Sequence, residues 1–380
     1  MNSKLSLKVN YIYNFISQIL TLIIPMVTTP YIARVLRENG NGQYSFSFSI
    51  ITYFILFANL GFNTYGQREI SKYRNDPMKR TKVLAEISIV RSITTFIAIL
   101  ILFIALFFGI FGEKYTLIIV ALSIQLIAVP FDINFYYQGL ENFRAIAIRS
   151  IILKIMGLIG VFLFVKTEND TWIYALCLSI SVMLSNLVLW PSVLRDCTKI
   201  TFRDVELKKH IKPAIVIFLP ALAVTIYSVL DKTMIGFLAV SPDYENGCYE
   251  QAYKLNSIAL LLITVISPIF SSRNSYEHAM GNEDKLKNNI YLASNYVWLI
   301  GLPLTAFFLV LSPNLCSWFL GGGFYEVPLL LRIMSVRFLL SGFSEIFGNQ
   351  LFVSIGREKY TTIATFSAAL LNFFSNFILI

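Results

Sequence analysis

Long apolar runs recur along the whole chain, and short polar segments separate them. The hydrocarbon core of a bilayer is about 30 Å thick, so a helix that crosses it needs roughly 20 apolar residues. Lipid offers no hydrogen-bond partners to a backbone, and the runs lack the apolar–polar alternation of barrel strands. The pattern therefore predicts membrane-spanning helices, and we place eleven of them at 9–34, 44–67, 83–111, 117–140, 145–165, 172–194, 212–240, 249–272, 290–311, 327–353 and 360–380.

The basic residues concentrate in alternate loops. Of 31 Lys and Arg residues, 20 fall on one side of the predicted topology, 4 on the other and 7 inside the spans. Cytoplasmic loops carry the excess of positive charge in membrane proteins, so the sequence predicts a cytoplasmic N-terminus. The net charge of +9 is then a topology signal rather than a nucleic-acid footprint, and no nucleic-acid partner is expected.

The chain also repeats itself. The stretch NGQY at 41–44 opens the second predicted span, and NGCY at 246–249 opens the eighth. Pro25 and Pro220 interrupt the first and seventh spans. A parallel repeat of this kind is common in transporters. It predicts an all-α polytopic fold with two pseudo-symmetric six-helix lobes: an N-terminal lobe at 1–211 with six helices and a C-terminal lobe at 212–380 with five. Six helices in each lobe would require a twelfth helix, so we expect that the sequence is a fragment; the alternative is a second half that is naturally incomplete.

Five stretches carry a family resemblance: PYIARVL (30–36), GNGQY (40–44), DINFYYQGLE (132–141), LDKTMIG (230–236) and GCYEQAYK (247–254). They resemble the bacterial polysaccharide or O-antigen repeat-unit flippases, the oligosaccharide flippase family of the multidrug/oligosaccharidyl-lipid/polysaccharide exporter superfamily. One position departs from that pattern. The glycine that usually follows Arg-Val-Leu is Arg37 here, which bears on how tightly the first outer turn closes.

The resemblance implies a MATE-like fold and a carrier that is not an enzyme. Its cargo would be an undecaprenyl-diphosphate-linked oligosaccharide, moved by alternating access from the cytoplasmic to the outer leaflet of the cell membrane for surface polysaccharide biosynthesis. Membrane lipids and a polysaccharide polymerase complex are the partners that this family membership would imply.

Charged residues inside the predicted spans suit such a cargo. A charge at the bilayer centre costs about 2.5–3.5 kcal/mol on insertion scales, so these residues face a cavity or a partner. A diphosphate is anionic and strongly hydrated, and Arg and Lys in a water-filled cleft can replace its hydration. We expect substrate binding by Lys232, Arg337, Lys154, Lys254, Arg149 and Arg91. For Arg91, Arg149 and Lys254 the alternative is an interfacial anchor that extends to the lipid headgroups.

Two intramembrane acids, Asp132 and Asp231, are candidates for coupling to protons or sodium. The alternative, which we favour from the sequence, is a buried ion pair with a neighbouring Arg or Lys. Coupling is not required in principle, because an inside-negative potential favours outward movement of an anion.

Catalysis has little support in the sequence. His210 and His278 are expected in solvated cytoplasmic loops, the triple glycine at 321–323 in a flexible outer turn, and the four cysteines as free thiols rather than a disulfide between Cys248 and Cys316. No catalytic triad, metal cluster or phosphate loop can be assembled, so no metal or other cofactor is expected.

Two other functions stay open at this point. One is a multidrug/cation antiporter of the same superfamily, which would need an acidic cavity, whereas seven basic residues inside the spans face four acids. The other is a polysaccharide polymerase or ligase, which would be expected to carry a large outer loop, and the outer loops here are short.

Overall fold

The computed structural model describes residues 7–198 and 206–380, and those residues are helical except for turns. The described α-helices are α1 (Leu7–Asn59), α2 (Phe62–Lys72), α3 (Pro77–Phe107), α4 (Glu113–Ile127), α5 (Asn134–Gly139), α6 (Phe143–Phe164), α7 (Thr171–Leu187), α8 (Trp190–Asp196), α9 (Lys208–Leu238), α10 (Pro242–Thr264), α11 (Ser267–Ala279), α12 (Glu283–Phe319), α13 (Val327–Ser335), α14 (Arg337–Glu345) and α15 (Glu358–Leu379). A π-helix, Ile346–Val353, continues α14.

Each apolar run of the sequence lies on one helix or on consecutive helices. Within the described residues, eight helical segments are long and apolar enough to cross a membrane, and nine if the pair Val327–Ser335 and Arg337–Val353, bent by 40°, counts as one span. The chain is therefore an all-helical, multi-pass membrane protein. Of the basic residues counted in the positive loops, Lys4, Lys199 and Arg203 lie outside the described part of the chain.

Local sequence explains several helix ends. Asp76 caps α3, because its carboxylate accepts a hydrogen bond from the Lys79 backbone N–H at 3.0 Å. Hydrogen bonds from Lys79 also lower the pKa of this carboxyl below its ordinary value. Pro77 follows at the first helical position, where its missing N–H has no cost. A cap of the same type, Asn142, opens α6.

The helices group into two compact units. Unit 1 comprises Met1–Thr28 and Gln43–Thr233, and unit 2 comprises Thr29–Gly42 and Met234–Ile380. Helix α1 thus contributes its middle segment to unit 2 and its last segment to unit 1. Each unit has its own apolar core, with Phe62, Phe135 and Tyr136 in unit 1 and Phe308 and Phe338 in unit 2. The predicted lobe boundary at 211/212 concerns the internal repeat and stays a prediction.

In unit 2, the bent segment of α1 crosses α10 at two glycines. A Cβ on Gly42 would overlap the backbone carbonyl of Asp243, and one on Gly247 would overlap that of Glu38. The two backbones touch here because neither residue has a side chain. The side chain of Gln251 donates a hydrogen bond to Asn41 Oδ1 at 2.7 Å beside this contact. Gly42 and Gly247 are the corresponding glycines of the NGQY and NGCY stretches, so these two similar stretches contact each other at the crossing.

The bend in α1 is at Arg37, whose φ of 52° and ψ of −167° lie in a region that glycine adopts and other residues rarely do. This is the position at which the family pattern has glycine. The turn with the triple glycine packs close by, since Gly321 approaches the stem of Arg34 and Gly323 approaches the carboxylate of Glu38. A guanidinium hydrogen of Arg34 also bonds to the backbone oxygen of Trp318 at 2.6 Å.

Candidate functional site

The candidate residues Arg91 and Asp132 lie together inside unit 1. Arg91 is on α3 with 1% of its surface exposed, and Asp132 is in the turn before α5. The Arg91 Nη1 donates to the backbone oxygen of Asp132 at 2.5 Å, and its Nη2 lies 3.8 Å from the Asp132 carboxylate. The same carboxylate accepts hydrogen bonds from the Asn134 N–H at 3.0 Å and the Asn63 amide at 3.4 Å. Asp132 therefore has partners on three sides: Arg91, Asn134 and Asn63.

Arg149 extends this network from α6. Its Nη2 donates to the side chain of Asn134 at 2.7 Å, and its Nη1 donates to the backbone oxygen of Ser185 at 2.5 Å. Arg149 is buried, so it is fixed between α5 and α7 rather than extended to the lipid headgroups. Two guanidinium groups and one carboxylate give this part of unit 1 a net positive charge.

The network keeps unused hydrogen-bond capacity. Nε and Nη2 of Arg91, Nε of Arg149 and Oδ1 of Asn63 are buried and lack a hydrogen-bond partner among the described residues. Buried polar groups are usually satisfied, often by internal water. The arrangement can therefore hold water between these polar side chains within the membrane.

Three more candidates belong to unit 1. Lys154 is half-buried on α6, Asp231 is half-buried on α9, and Lys232 beside it is buried. The next residue, Thr233, contacts α1, because its hydroxyl lies 2.9 Å from Ser49 Oγ. That contact fixes this turn of α9 against the last segment of α1.

The remaining two candidates, Lys254 and Arg337, belong to unit 2. Lys254 Nζ lies 3.1 Å from the carboxylate of Glu250, one turn earlier on α10. Arg337 opens α14 and places its guanidinium over the ring of Tyr253, 5.1 Å from the ring centre. A cation held over an aromatic face keeps its N–H groups available at the edge for an anion.

The expectation of a solvated His210 is wrong. His210 is 1% exposed in unit 1, and its Nε2 lies 2.7 Å from the buried carboxylate of Glu86 on α3. Its Nδ1 lies 2.8 Å from the hydroxyl of Tyr65 on α2. Helix α9 begins before the apolar run does, so His210 is part of the helix and packs against α2 and α3 instead of lying in a loop. The sequence signal was Glu86, an intramembrane acid that requires a partner.

The cysteines and the possible metal ligands do not form a further site among the described residues. All four cysteines are free thiols. Directly after α8, burial raises the pKa of the Cys197 thiol above its ordinary value. No group of three or more metal-ligating side chains occurs in the described ranges 7–198 and 206–380.

Comparison with known proteins identifies the family to which the chain belongs. Residues 7–273 match the model of a family described as polysaccharide biosynthesis protein. The chain is 26% identical over 365 residues to the "Putative O-antigen transporter" of Shigella dysenteriae, which covers 93% of this chain and 88% of that protein. A protein of the same name from Escherichia coli (strain K12) is 22% identical over 376 residues, with 97% and 89% covered.

Two solved structures show the same fold at low sequence identity. The lipid II flippase MurJ in an inward closed conformation superposes with a TM-score of 0.74 at 16% identity, covering 95% of this chain and 79% of that one. An inward-facing multidrug resistance transporter of the MATE family superposes with a TM-score of 0.66 at 15% identity, covering 92% and 88%.

Proposed function

Because the chain belongs to the polysaccharide biosynthesis protein family, we propose that it is a flippase for a lipid-linked oligosaccharide. The cargo would be an oligosaccharide repeat unit on undecaprenyl diphosphate, carried from the cytoplasmic to the outer leaflet for O-antigen, capsule or exopolysaccharide synthesis. The relatives named as O-antigen transporters and the fold shared with a lipid II flippase support this proposal. A polysaccharide polymerase complex would receive the cargo on the outer side.

The proposed topology has eleven spans, six in the N-terminal lobe at 1–211 and five in the C-terminal lobe at 212–380. The protein would lie in the cytoplasmic membrane with its N-terminus in the cytoplasm, as the count of 20 basic loop residues against 4 favours.

The main support for the proposal is that this chain, which belongs to the family, has more basic than acidic residues inside its predicted spans. Seven basic residues against four acids suit a diphosphate better than a drug cation, which distinguishes the proposal from the multidrug/cation antiporter. In the proposed cycle, alternating access exposes a cationic cavity first to one face of the membrane and then to the other. The diphosphate would be bound there while the polyprenyl chain stays in lipid.

We assign different roles in substrate binding to the candidates, taking each unit by itself. Arg337, with its guanidinium over Tyr253, and Lys232 would bind the diphosphate directly. Lys154 and Lys254 would assist, the latter after exchanging Glu250 for phosphate. Arg91 and Arg149 would act through the water-holding network around Asp132, since both already donate hydrogen bonds to protein oxygens.

The test is complementation of a strain that lacks the gene. Lys232→Ala and Arg337→Ala should abolish surface polysaccharide while the membrane level of the protein stays normal. Lys287→Ala removes an exposed lysine of α12 and should leave the polymer unchanged, which makes it the matched control. Wild-type amounts of surface polysaccharide in both test variants would contradict the assignment of Lys232 and Arg337 to substrate binding. If lipid-linked oligosaccharide crossed the membrane equally fast with and without the protein, the flippase proposal would be wrong.

A further inference from the structure

Two stacked tyrosines lie next to Arg337 in unit 2. Tyr249 and Tyr253 are one turn apart on α10, with ring centres 6.2 Å apart and ring planes inclined by 22°. The guanidinium of Arg337 lies over the Tyr253 ring, 5.1 Å from its centre. Both tyrosines are half-buried. The two nearly parallel rings therefore form one aromatic surface beside a cation that the proposed function assigns to the diphosphate.

This aromatic surface belongs to the polar side of α10. Cys248, Ala252 and Leu255 are part of the apolar core of unit 2. Because successive residues of a helix are about 100° apart, Tyr253 and Lys254 lie on the other side of α10. A helix side that carries charged groups is unsuited to hydrocarbon, so it requires polar partners or water. The tyrosines therefore lie beside groups that can bind a polar ligand.

A buried carboxylate is one of these groups. Glu250 is 6% exposed, and its Oε1 lies 3.1 Å from Lys254 Nζ. In the proposed function, Lys254 exchanges Glu250 for a phosphate. That exchange would leave a buried carboxylate without this cation, which is costly unless other donors replace it. Sugar hydroxyl groups are such donors, and in a lipid-linked oligosaccharide the first sugar is attached directly to the diphosphate.

A hydroxyl group with unused hydrogen-bond capacity follows on the same side of α10. Ser257 is one turn after Tyr253, and its Oγ is buried without a hydrogen-bond partner among the described residues. Buried polar groups usually have a partner. A polar ligand bound on the tyrosines can supply one.

The first copy of the repeat has a similar aromatic pair in different surroundings. Tyr44 and Phe48 occupy the corresponding positions in unit 1, and their rings are also stacked, 5.7 Å apart and inclined by 12°. A third ring, that of Tyr174, lies 4.7 Å from Tyr44, which is 8% exposed. The neighbours that correspond to the charged pair of α10 are Ser45 and Ser49. Aromatic stacking is thus common to both copies, whereas the adjacent acid and cation are particular to unit 2.

We propose that Tyr249 and Tyr253 bind the first sugar of the cargo, the pyranose ring next to the diphosphate. The faces of a pyranose ring carry C–H groups, which are attracted to the negative face of an aromatic ring. Glu250 accepts hydrogen bonds from the sugar hydroxyl groups, and Arg337 binds the neighbouring phosphate. The sugar site rests on the proposed function, because a cargo without a diphosphate-linked sugar would not bring these groups together.

The first experiment measures the binding of two probes to the purified full-length protein in nanodiscs. One probe is undecaprenyl diphosphate, and the other is the same lipid with one N-acetylglucosamine on its diphosphate. The wild type should bind the sugar-bearing probe about 5-fold more tightly, an effect typical of one aromatic contact. Tyr249→Leu should abolish this preference and leave the affinity for undecaprenyl diphosphate unchanged, whereas Tyr249→Phe should keep the preference. Tyr291→Leu, the same change at an exposed tyrosine of α12, is the matched control and should also keep it.

A measurement on the wild type covers the case in which Tyr249→Leu folds poorly. A photoreactive diazirine on the N-acyl group of the sugar should label the segment 247–258 of α10, located by mass spectrometry of the digested protein. Equal affinity of the wild type for the two probes, a preference that Tyr249→Leu retains, or labelling confined to other segments would overturn the sugar site alone. A wild type that binds neither probe would contradict the proposed function as well.

Discussion

Replacing Glu86 removes the buried carboxylate at the centre of a polar cluster in unit 1. Glu86 is fully buried on α3, and it accepts hydrogen bonds from His210 Nε2 at 2.7 Å and from the Glu206 backbone N–H at 2.7 Å. Lys209 and Lys82 lie 3.3 Å and 3.9 Å away, at the solvent side. In the ring tautomer that donates from Nε2, Nδ1 of His210 can accept from the Tyr65 hydroxyl, so one tautomer satisfies both neighbours.

The size of the effect follows from these partners. Each hydrogen bond to a buried charge contributes about 1.5–3 kcal/mol, whereas the half-exposed lysines add under about 1 kcal/mol each. Glu86→Leu leaves the buried His210 ring and the Glu206 backbone N–H without their acceptor, so it should destabilise the protein by about 3–5 kcal/mol. Glu86→Gln keeps one acceptor oxygen, and the His210 ring can change tautomer to accept from the new amide. We therefore expect a smaller loss, about 1.5–3 kcal/mol.

The assay is reversible unfolding of the purified protein in mixed micelles, titrated with SDS. His278→Leu is the control, since His278 is exposed and should change stability by less than about 0.5 kcal/mol. The order Glu86→Leu, Glu86→Gln, His278→Leu, from most to least destabilised, is the expected signature. If Glu86→Leu were as stable as the wild type, the cluster would have no role in fixing α9 to α3.

Two other predictions concern the bend and the crossing of α1. Arg37→Gly should stabilise the protein by about 1 kcal/mol in the same assay, because relief of a backbone strain of about 1–3 kcal/mol exceeds the entropy cost of glycine. Arg37→Ala keeps the strain and should show no gain, so equal stability of the two variants would contradict the strain argument. Gly247→Ala should destabilise by about 1–3 kcal/mol, since its methyl group meets the Glu38 carbonyl, whereas Gly322→Ala has open space around it and should be neutral. Equal unfolding midpoints for those two alanine variants would rule out the close crossing.

Much of the fold could be predicted from the sequence, because bilayer thickness fixes the length of an apolar run and the backbone must be helical in lipid. Family membership, drawn from motifs such as DINFYYQGLE at 132–141, is confirmed by the family match. The departure at Arg37 also marked a real feature, since the structure has a positive φ there. Helix breaks inside a span were harder to predict, because Pro268 is a visible signal but the π-helix after Glu345 has none that we recognised.

Partners of the charged residues could not be predicted, because they come from helices distant in sequence. Arg91 meets Asp132 across 41 positions and Glu86 meets His210 across 124. Hydropathy reports depth in the membrane but not which face of a helix meets which neighbour. The same limit explains why the expectation for His210 was wrong: it follows two lysines in the sequence, yet it lies on the packed face of α9. The roles assigned to the six basic candidates stay predictions for the same reason.

Because α1 contributes to both units, the division of this helix limits how the protein can be expressed as separate fragments. Unit 2 includes Thr29–Gly42, which the chain encodes far ahead of the rest of that unit. A polypeptide that begins at the start of α9 would lack Asn41 and Gly42, and with them the neighbours of Gln251 and Gly247. If the two halves were synthesised separately, neither would contain all the residues of one unit. Unit 2 would be complete only after the second half had bound the segment Thr29–Gly42 of the first.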